Sequence, residues 1–112
     1  MVSYCPKRGD VLWLSFAPQA GREQGGHRPA LVLSPEGYNR KTGLALLCPI
    51  TSQIKGYPFE VAIAAGLPVA GVVLADQIKS LDWRSRRAKF CCRLPEAALV
   101  EVLEKLGALI SL

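Results

Sequence analysis

A set of polar side chains in the sequence can bind a phosphate group and the edges of nucleic-acid bases. They lie where apolar runs begin or end. Arg28 suits the phosphate, because a planar guanidinium donates to two oxygens at once and keeps its charge. RNA cleavage needs little more, because the substrate's 2′-hydroxyl is the nucleophile and the protein need only align it and stabilise the phosphorane. The set comprises Glu23, Gln24, His27, Arg28, Thr51, Ser52, Gln53, Lys55, Asp76, Gln77 and Lys79.

Other chemistries are disfavoured by the residues present. His27 is the only histidine, so one subunit cannot use two histidines as acid and base. The carboxylates lack the spacing of a two-metal site, and the chain has no phosphate-binding glycine loop, dinucleotide fingerprint or glycine-flanked nucleophilic serine. We therefore expect no metal and no cofactor.

Each candidate residue also has an ordinary structural explanation. A lone arginine such as Arg28 most often makes a surface ion pair. Thr51 and Ser52 can end a strand and cap a turn, while His27, in a glycine-rich loop, can simply be exposed. The residues alone predict a polar site on a basic protein and do not select a reaction.

The charge of the chain favours a polyanionic partner. The net charge is +5, and 13 of the 14 lysines and arginines lie at or before Arg93, together with six of the nine acidic residues. Such a basic body attracts nucleic acid or an acidic protein segment. Trp83 is either an aromatic ring within a basic patch or a core side chain. The cations that follow it are Arg84, Arg86 and Arg87.

Short apolar runs separated by turn residues predict a small antiparallel barrel that positions these groups. Residues 29–34 and 44–50 are apolar throughout, which predicts the central pair of strands. Residues 19–26 form a predicted surface loop, and residues 35–43 form one helical turn or a structured loop. The other predicted strands span residues 11–16, 58–63, 69–75 and 78–83.

The C-terminal segment predicts a helix beginning at Leu94-Pro95-Glu96, because proline fits the first turn and glutamate favours the positive end. Apolar residues then recur at the spacing of one helical face, which we expect to pack on the barrel or on a second subunit. That face comprises Leu99, Val102, Leu103, Leu106, Leu109 and Ile110. Residues 1–112 are therefore predicted to form one mainly β, α+β domain.

The cysteines and the distribution of apolar residues indicate the cellular compartment of the protein. The four cysteines match no metal or redox spacing, so we expect reduced thiols. Cys91 and Cys92 are neighbours, and on a regular strand at most one of them joins the core. The sequence has no membrane-length apolar run and no apolar block at its start, so we expect a cytoplasmic protein without membrane contact.

Six stretches, in order, resemble the MazF/PemK family of toxin endoribonucleases. The resemblance extends from residue 7 to about residue 87, and residues 89–93 depart from it. No single stretch is specific to this family, but the occurrence of all six in the same order is. They are RGDVLW (8–13), EQGGHRPALVLS (23–34), YN (38–39), PITS (49–52), KGYPFEV (55–61) and GVVLADQIKS (71–80).

The resemblance implies an SH3-like barrel with a C-terminal helix, a homodimer, and metal-independent cleavage of single-stranded mRNA at short sequence motifs. The products would carry 2′,3′-cyclic phosphate and 5′-hydroxyl ends. Arg28 would hold the phosphate, Thr51 a transition-state oxygen, and Glu23 would be the acidic loop residue. The other implied RNA contacts are Gln24, His27, Ser52, Lys55, Gln77 and Lys79.

The resemblance also implies a protein partner, a cognate antitoxin whose acidic, disordered tail covers the RNA groove. That expectation agrees with the basic charge of the body. The alternative is a non-catalytic toxin of the same barrel fold that binds a protein such as DNA gyrase. The stretch from Gly26 to Pro29, together with Thr51 and Ser52, favours the endoribonuclease.

Overall fold

The part of the chain that the structure describes contains seven strands and two helices. The computed structural model describes residues 4–17, 21–22 and 24–111. The elements are β1 (Asp10–Ser15), β2 (His27–Val32), α1 (Glu36–Thr42), β3 (Leu44–Thr51), β4 (Glu60–Ala62), β5 (Val72–Leu74), β6 (Lys79–Asp82), β7 (Lys89–Arg93) and α2 (Glu96–Ile110).

All recorded strand pairs are antiparallel, and the order across the sheet is β4-β5-β3-β2-β1-β7. β3 is long enough to have two partners on one side: its first half pairs with β6 and its last two residues pair with β5. The predicted small antiparallel sheet with a C-terminal helix is confirmed. Its described pairings leave β4 and β7 at the two ends, so the barrel-like sheet is open.

The three central strands bury side chains on both faces, as the continuous apolar sequences of residues 29–34 and 44–50 predict for β2 and β3. Because side chains alternate along a strand, β1, β2 and β3 each contribute to two separate cores. One core includes Leu12, Leu14, Ala30, Val32 and Leu47. The other includes Val11, Leu31, Cys48, Ile50 and Val73, and α2 covers it with Val102. The ends of β2 and β3 are therefore rigid mounts for polar residues.

A buried polar network, the Asn39 corner (Ser34, Asn39 and Trp83), fixes α1 against the sheet. Asn39 is fully buried, and its Nδ2 donates to the carbonyls of Pro6 at 2.9 Å and Ser34 at 3.1 Å. The Ser34 hydroxyl accepts the Leu46 N–H, and the Trp83 indole N–H donates to the Asn39 carbonyl. Segment 35–43 thus contains a two-turn helix, and Trp83 is a core side chain.

The cysteine pair on β7 departs from the prediction that at most one thiol joins the core. Val11 pairs with Cys92 while Leu12 pairs with Phe90, so Cys91 is an inserted residue at a β-bulge. Both thiols consequently pack on the same core cluster. Burial and the adjacent Cys91 thiol raise the pKa of Cys92 to about 11. All four cysteines are free.

α2 packs only part of its predicted apolar face on the sheet. Val102 is buried, and Leu99 and Leu106 pack partly against the core. Leu109 and Ile110, near the end of the helix, are exposed. Among the described residues, no helix is both long enough and apolar enough to cross a membrane.

Candidate active site

Two adjoining cavities lie where β2 begins and β3 ends. The first has a volume of about 430 Å³ and is lined by His27, Arg28 and Ser52, among others. The second, of about 560 Å³, is lined by polar groups of the β3–β4 segment and the β5–β6 turn. The cavities share Gln24, Thr51 and Gln53. Together they form a continuous polar groove.

Arg28 and Thr51 are brought together by the register of two central strands. Ala30 on β2 pairs with Pro49 on β3, and Arg28 lies two residues before this pair on β2 while Thr51 lies two residues after it on β3. Because the two strands are antiparallel, both residues lie at the same edge of the pair. Both side chains line the first cavity.

The Arg28 guanidinium is held at one end. Its Nε donates to the Gly25 carbonyl at 2.7 Å. Within the described part of the chain, its two terminal nitrogens make no hydrogen bond or ion pair. A half-buried guanidinium fixed through Nε presents the fork of N–H groups that suits two phosphate oxygens.

Thr51 is oriented by its neighbours on both sides. Its hydroxyl oxygen accepts the Gln53 N–H at 3.1 Å, so the hydroxyl proton can be donated to a ligand. Gly71 lies directly against its backbone with φ of +107°, and a Cβ there would be 2.1 Å from the Thr51 carbonyl oxygen. Only glycine permits this approach of β5 to the end of β3.

The second cavity is shaped by a carboxylate that folds the β3–β4 segment. Glu60 accepts the N–H groups of Lys55 at 3.0 Å and Gly56 at 2.9 Å, which sets Lys55 at the cavity wall. The Tyr57 hydroxyl donates to Asp76, and that hydrogen bond raises the pKa of Tyr57 to about 12. At neutral pH the Tyr57 hydroxyl therefore keeps its proton, which it donates to Asp76 in a hydrogen bond.

Trp13 is a wall residue that the sequence pattern did not single out. It is 36% exposed in a strand whose neighbouring residues are buried. Its ring stacks on His27, with centroids 5.9 Å apart and an angle of 12° between the planes. The signal available in the sequence was a tryptophan within the predicted first strand. The structure pairs this position with Pro29. Stacked rings beside a cavity are a platform on which a nucleic-acid base can stack.

Most of the predicted site residues that the structure describes line the groove. Lys79 begins β6 opposite Leu47 and lines neither cavity. Glu23 lies outside the described residues. In the described ranges, no three histidine, cysteine, aspartate or glutamate side chains are grouped as a metal site requires. The residues that do line the groove are Gln24, His27, Arg28, Thr51, Ser52, Lys55 and Gln77.

Fold and site together define a class: a small basic β-sheet protein with an arginine and a threonine hydroxyl in a cavity beside two stacked rings. The family model of PemK-like, MazF-like toxins of type II toxin-antitoxin systems matches residues 7–110. The chain therefore belongs to this family, as the six sequence stretches predicted.

Individual relatives agree with this assignment. The endoribonuclease toxin MazF of Escherichia coli (strain K12) is 57% identical over 89 residues, which are 79% of either chain. The crystal structure of MazF (Form-I) from Deinococcus radiodurans is 58% identical, with a TM-score of 0.94 over 98% of this chain and 100% of that one. A MazE-MazF structure (Form-II) from the same organism is 58% identical, with a TM-score of 0.89 over 98% and 99%.

Proposed function

We propose that this chain is a toxin endoribonuclease that cleaves single-stranded mRNA at a short sequence motif. The reaction needs no metal and leaves 2′,3′-cyclic phosphate and 5′-hydroxyl ends. The observation that carries the proposal is that Arg28 and Thr51, from the start of β2 and the end of β3, line the same cavity. Relatives named as endoribonucleases support the same reaction.

The arrangement suits transfer of a phosphoryl group within the substrate. The 2′-oxygen attacks the adjacent phosphorus, the bond from phosphorus to the 5′-oxygen breaks, and a cyclic phosphate forms. One proton leaves the 2′-hydroxyl and one reaches the departing 5′-oxygen. Arg28 would stabilise the charge on the non-bridging oxygens, and the Thr51 hydroxyl would donate to one of them.

The two proton transfers also require a general base and a general acid. A guanidinium resists deprotonation, so we assign Arg28 an electrostatic role. His27 lines the same cavity, and Glu23 is the acidic loop residue, so either is a candidate general base. If His27 or Glu23 is the base, replacing it abolishes one ionisation in the pH–rate profile. An unchanged profile in both variants excludes both.

The rest of the groove would recognise the bases flanking the cut. Amides and hydroxyls discriminate base edges, and cations hold the neighbouring phosphates. We assign these contacts to Gln24, His27, Ser52, Lys55, Gln77 and Lys79. Trp13 and His27 would together supply a stacking surface for one base.

The proposed partners are a second copy of the chain and an antitoxin in the cytoplasm. A homodimer would cover the apolar residues of α2 that the single chain leaves exposed, such as Ile110. A net charge of +5 would attract an acidic, disordered antitoxin tail to the groove. The MazE-MazF structure of a similar chain, 58% identical, supports a protein partner.

The test is Arg28→Ala in the purified protein. We expect the cleavage rate at saturating RNA to fall by about 100-fold to 1,000-fold with an unchanged melting temperature. Arg40→Ala is the matched control, because Arg40 is exposed on α1, where it pairs with Glu36. An Arg28→Ala variant that folds and still cuts at the parental rate contradicts the mechanism.

A non-catalytic toxin that binds DNA gyrase predicts a different result. Such a protein leaves labelled RNA intact, whereas the proposed enzyme cuts it in the presence of EDTA. RNA that stays intact under these conditions would favour the gyrase alternative.

A further inference from the structure

The loop whose Gly25 carbonyl accepts Arg28 Nε is itself held by a residue distant in the sequence. The Gln24 backbone N–H donates to the side-chain oxygen of Gln77 at 3.0 Å, across 53 positions of the chain. The next residue, Gly25, is buried and accepts Arg28 Nε at 2.7 Å. Gly26 accepts the Phe16 N–H at 2.9 Å. Three consecutive backbone groups are therefore fixed, each by a different part of the fold.

The Gln77 contact joins the loop to the segment that follows β5. Gln77's own N–H donates to the Leu74 carbonyl at 3.1 Å, which ties the residue to the end of that strand. Gln77 and Gln24 both line the second cavity. We call the hydrogen bond between them the Gln24–Gln77 bridge.

We propose that Gln77 is a positioning residue for Arg28, acting through the Gln24–Gly25 backbone. Removing the Gln77 oxygen frees the Gln24 N–H, and the adjacent Gly25 carbonyl then no longer holds Arg28 Nε in one place. The proposal rests on the proposed endoribonuclease function, and it assigns Gln77 a role in orienting Arg28 in addition to any contact with RNA.

This role has a kinetic signature distinct from a contact role. A misplaced transition-state group lowers kcat, because the fraction of bound substrate in a productive geometry falls. A lost substrate contact that is equally strong in ground and transition states raises KM and leaves kcat unchanged. The two roles also differ without RNA, because only the positioning role changes the free protein.

The experiment compares Gln77→Ala, Gln77→Glu and Gln53→Ala with the parent. Glutamate keeps an oxygen acceptor for the Gln24 N–H. Gln53 lines both cavities and its side chain has no recorded partner within the described residues, so it is the matched contact residue. Amide hydrogen exchange at Gln24 is measured in free protein, and kcat and KM are measured on a short RNA spanning a mapped cut.

We expect Gln77→Ala to speed exchange of the Gln24 amide by about tenfold, since one hydrogen bond is lost, and to lower kcat by about tenfold. Gln77→Glu should keep the slow exchange and a near-parental kcat, with a higher KM from its negative charge. Gln53→Ala should change KM alone.

Two results overturn the proposal. One is parental Gln24 exchange in Gln77→Ala, and the other is a raised KM with parental kcat in that variant. If Gln77→Ala does not fold, fast Gln24 exchange in folded Gln77→Glu also overturns it, because the acceptor is then present without holding the loop. Loss of RNA cleavage in the parent would refute the endoribonuclease, while the exchange measurement would still decide the bridge.

Discussion

Two polar regions of this molecule use similar side chains in opposite ways. In the Asn39 corner, both Nδ2 hydrogens of Asn39 have carbonyl acceptors and the Trp83 N–H is also satisfied. In the groove, Arg28 uses one nitrogen for the fold, and the Thr51 hydroxyl accepts one N–H while its proton can be donated. In the first region the polar groups satisfy one another, whereas in the second they line a cavity.

This difference separates polar groups that stabilise the fold from polar groups that can bind or act on a ligand. A buried network whose members satisfy each other contributes to stability, because leaving any one partner unpaired is costly. Donors that the fold orients and leaves open to a cavity contribute to binding or catalysis instead. Substitutions in the two regions should therefore affect different measurements.

The largest expected effect comes from a residue that supports the groove. Gly71→Ala places a Cβ against the Thr51 carbonyl in a backbone conformation that alanine disfavours, so we expect the unfolding free energy to fall by about 3 kcal/mol. The cleavage rate should fall as well, because β5 must move away from Thr51. Denaturant unfolding and RNA kinetics on one preparation test this, and parental values in both would contradict it.

Asn39→Ala should affect stability alone. Loss of this side chain leaves the Pro6 and Ser34 carbonyls with fewer partners in a buried place, so we expect a loss of about 2–3 kcal/mol. At a temperature where the variant is folded, kcat should remain within about twofold of the parent, because the corner lines neither cavity. A much lower kcat in folded protein would show that the two regions are coupled.

Thr51→Val should affect activity alone. Valine keeps the shape of threonine and removes the hydroxyl, so we expect kcat to fall by about tenfold to 100-fold with a small change in stability. Thr51→Ser keeps the hydroxyl and should stay close to the parent. Equal kcat values for the valine and serine variants would exclude a role for the hydroxyl.

The smallest expected effect is a pH dependence in the second cavity. The hydrogen bond to Asp76 raises the pKa of Tyr57 to about 12, above its ordinary value of 10.0. The native state thus holds this proton more tightly than the unfolded state. The hydrogen bond therefore adds to the free energy of unfolding below pH 10, and this addition is lost as the pH rises through about 12. Tyr57→Phe should lose less stability than the parent over that interval, measured by denaturant unfolding. An identical loss would contradict the assignment.

Much of the fold could be predicted from residue order, because local patterns determine it. The apolar runs identified β1, β2 and β3, and the proline and glutamate near residue 95 identified the start of α2. The pattern missed the bulge at Cys91, which depends on pairing with a strand some 80 positions earlier. It also predicted an apolar face on α2 without showing which of its residues pack on the sheet and which are left for a second subunit, because periodicity does not reveal the partner.

The site was predicted less completely, since its geometry comes from contacts between distant segments. Arg28 and Thr51 were identified as residue types, and the resemblance selected them over ordinary surface residues. Their shared cavity follows from the pairing of β2 with β3, and the Gln24–Gln77 bridge joins segments 53 positions apart. Trp13 was taken as one residue of an apolar strand, although it lies at the wall of the cavity.

The most direct test of the central claim is to incubate one end-labelled RNA with purified parent and Arg28→Ala proteins in EDTA and to identify both new ends. We predict discrete cuts by the parent, with 2′,3′-cyclic phosphate and 5′-hydroxyl ends, and a rate at least about 100-fold lower for Arg28→Ala. Cuts that require a divalent metal, 5′-phosphate ends, or equal rates for the two proteins would contradict the account.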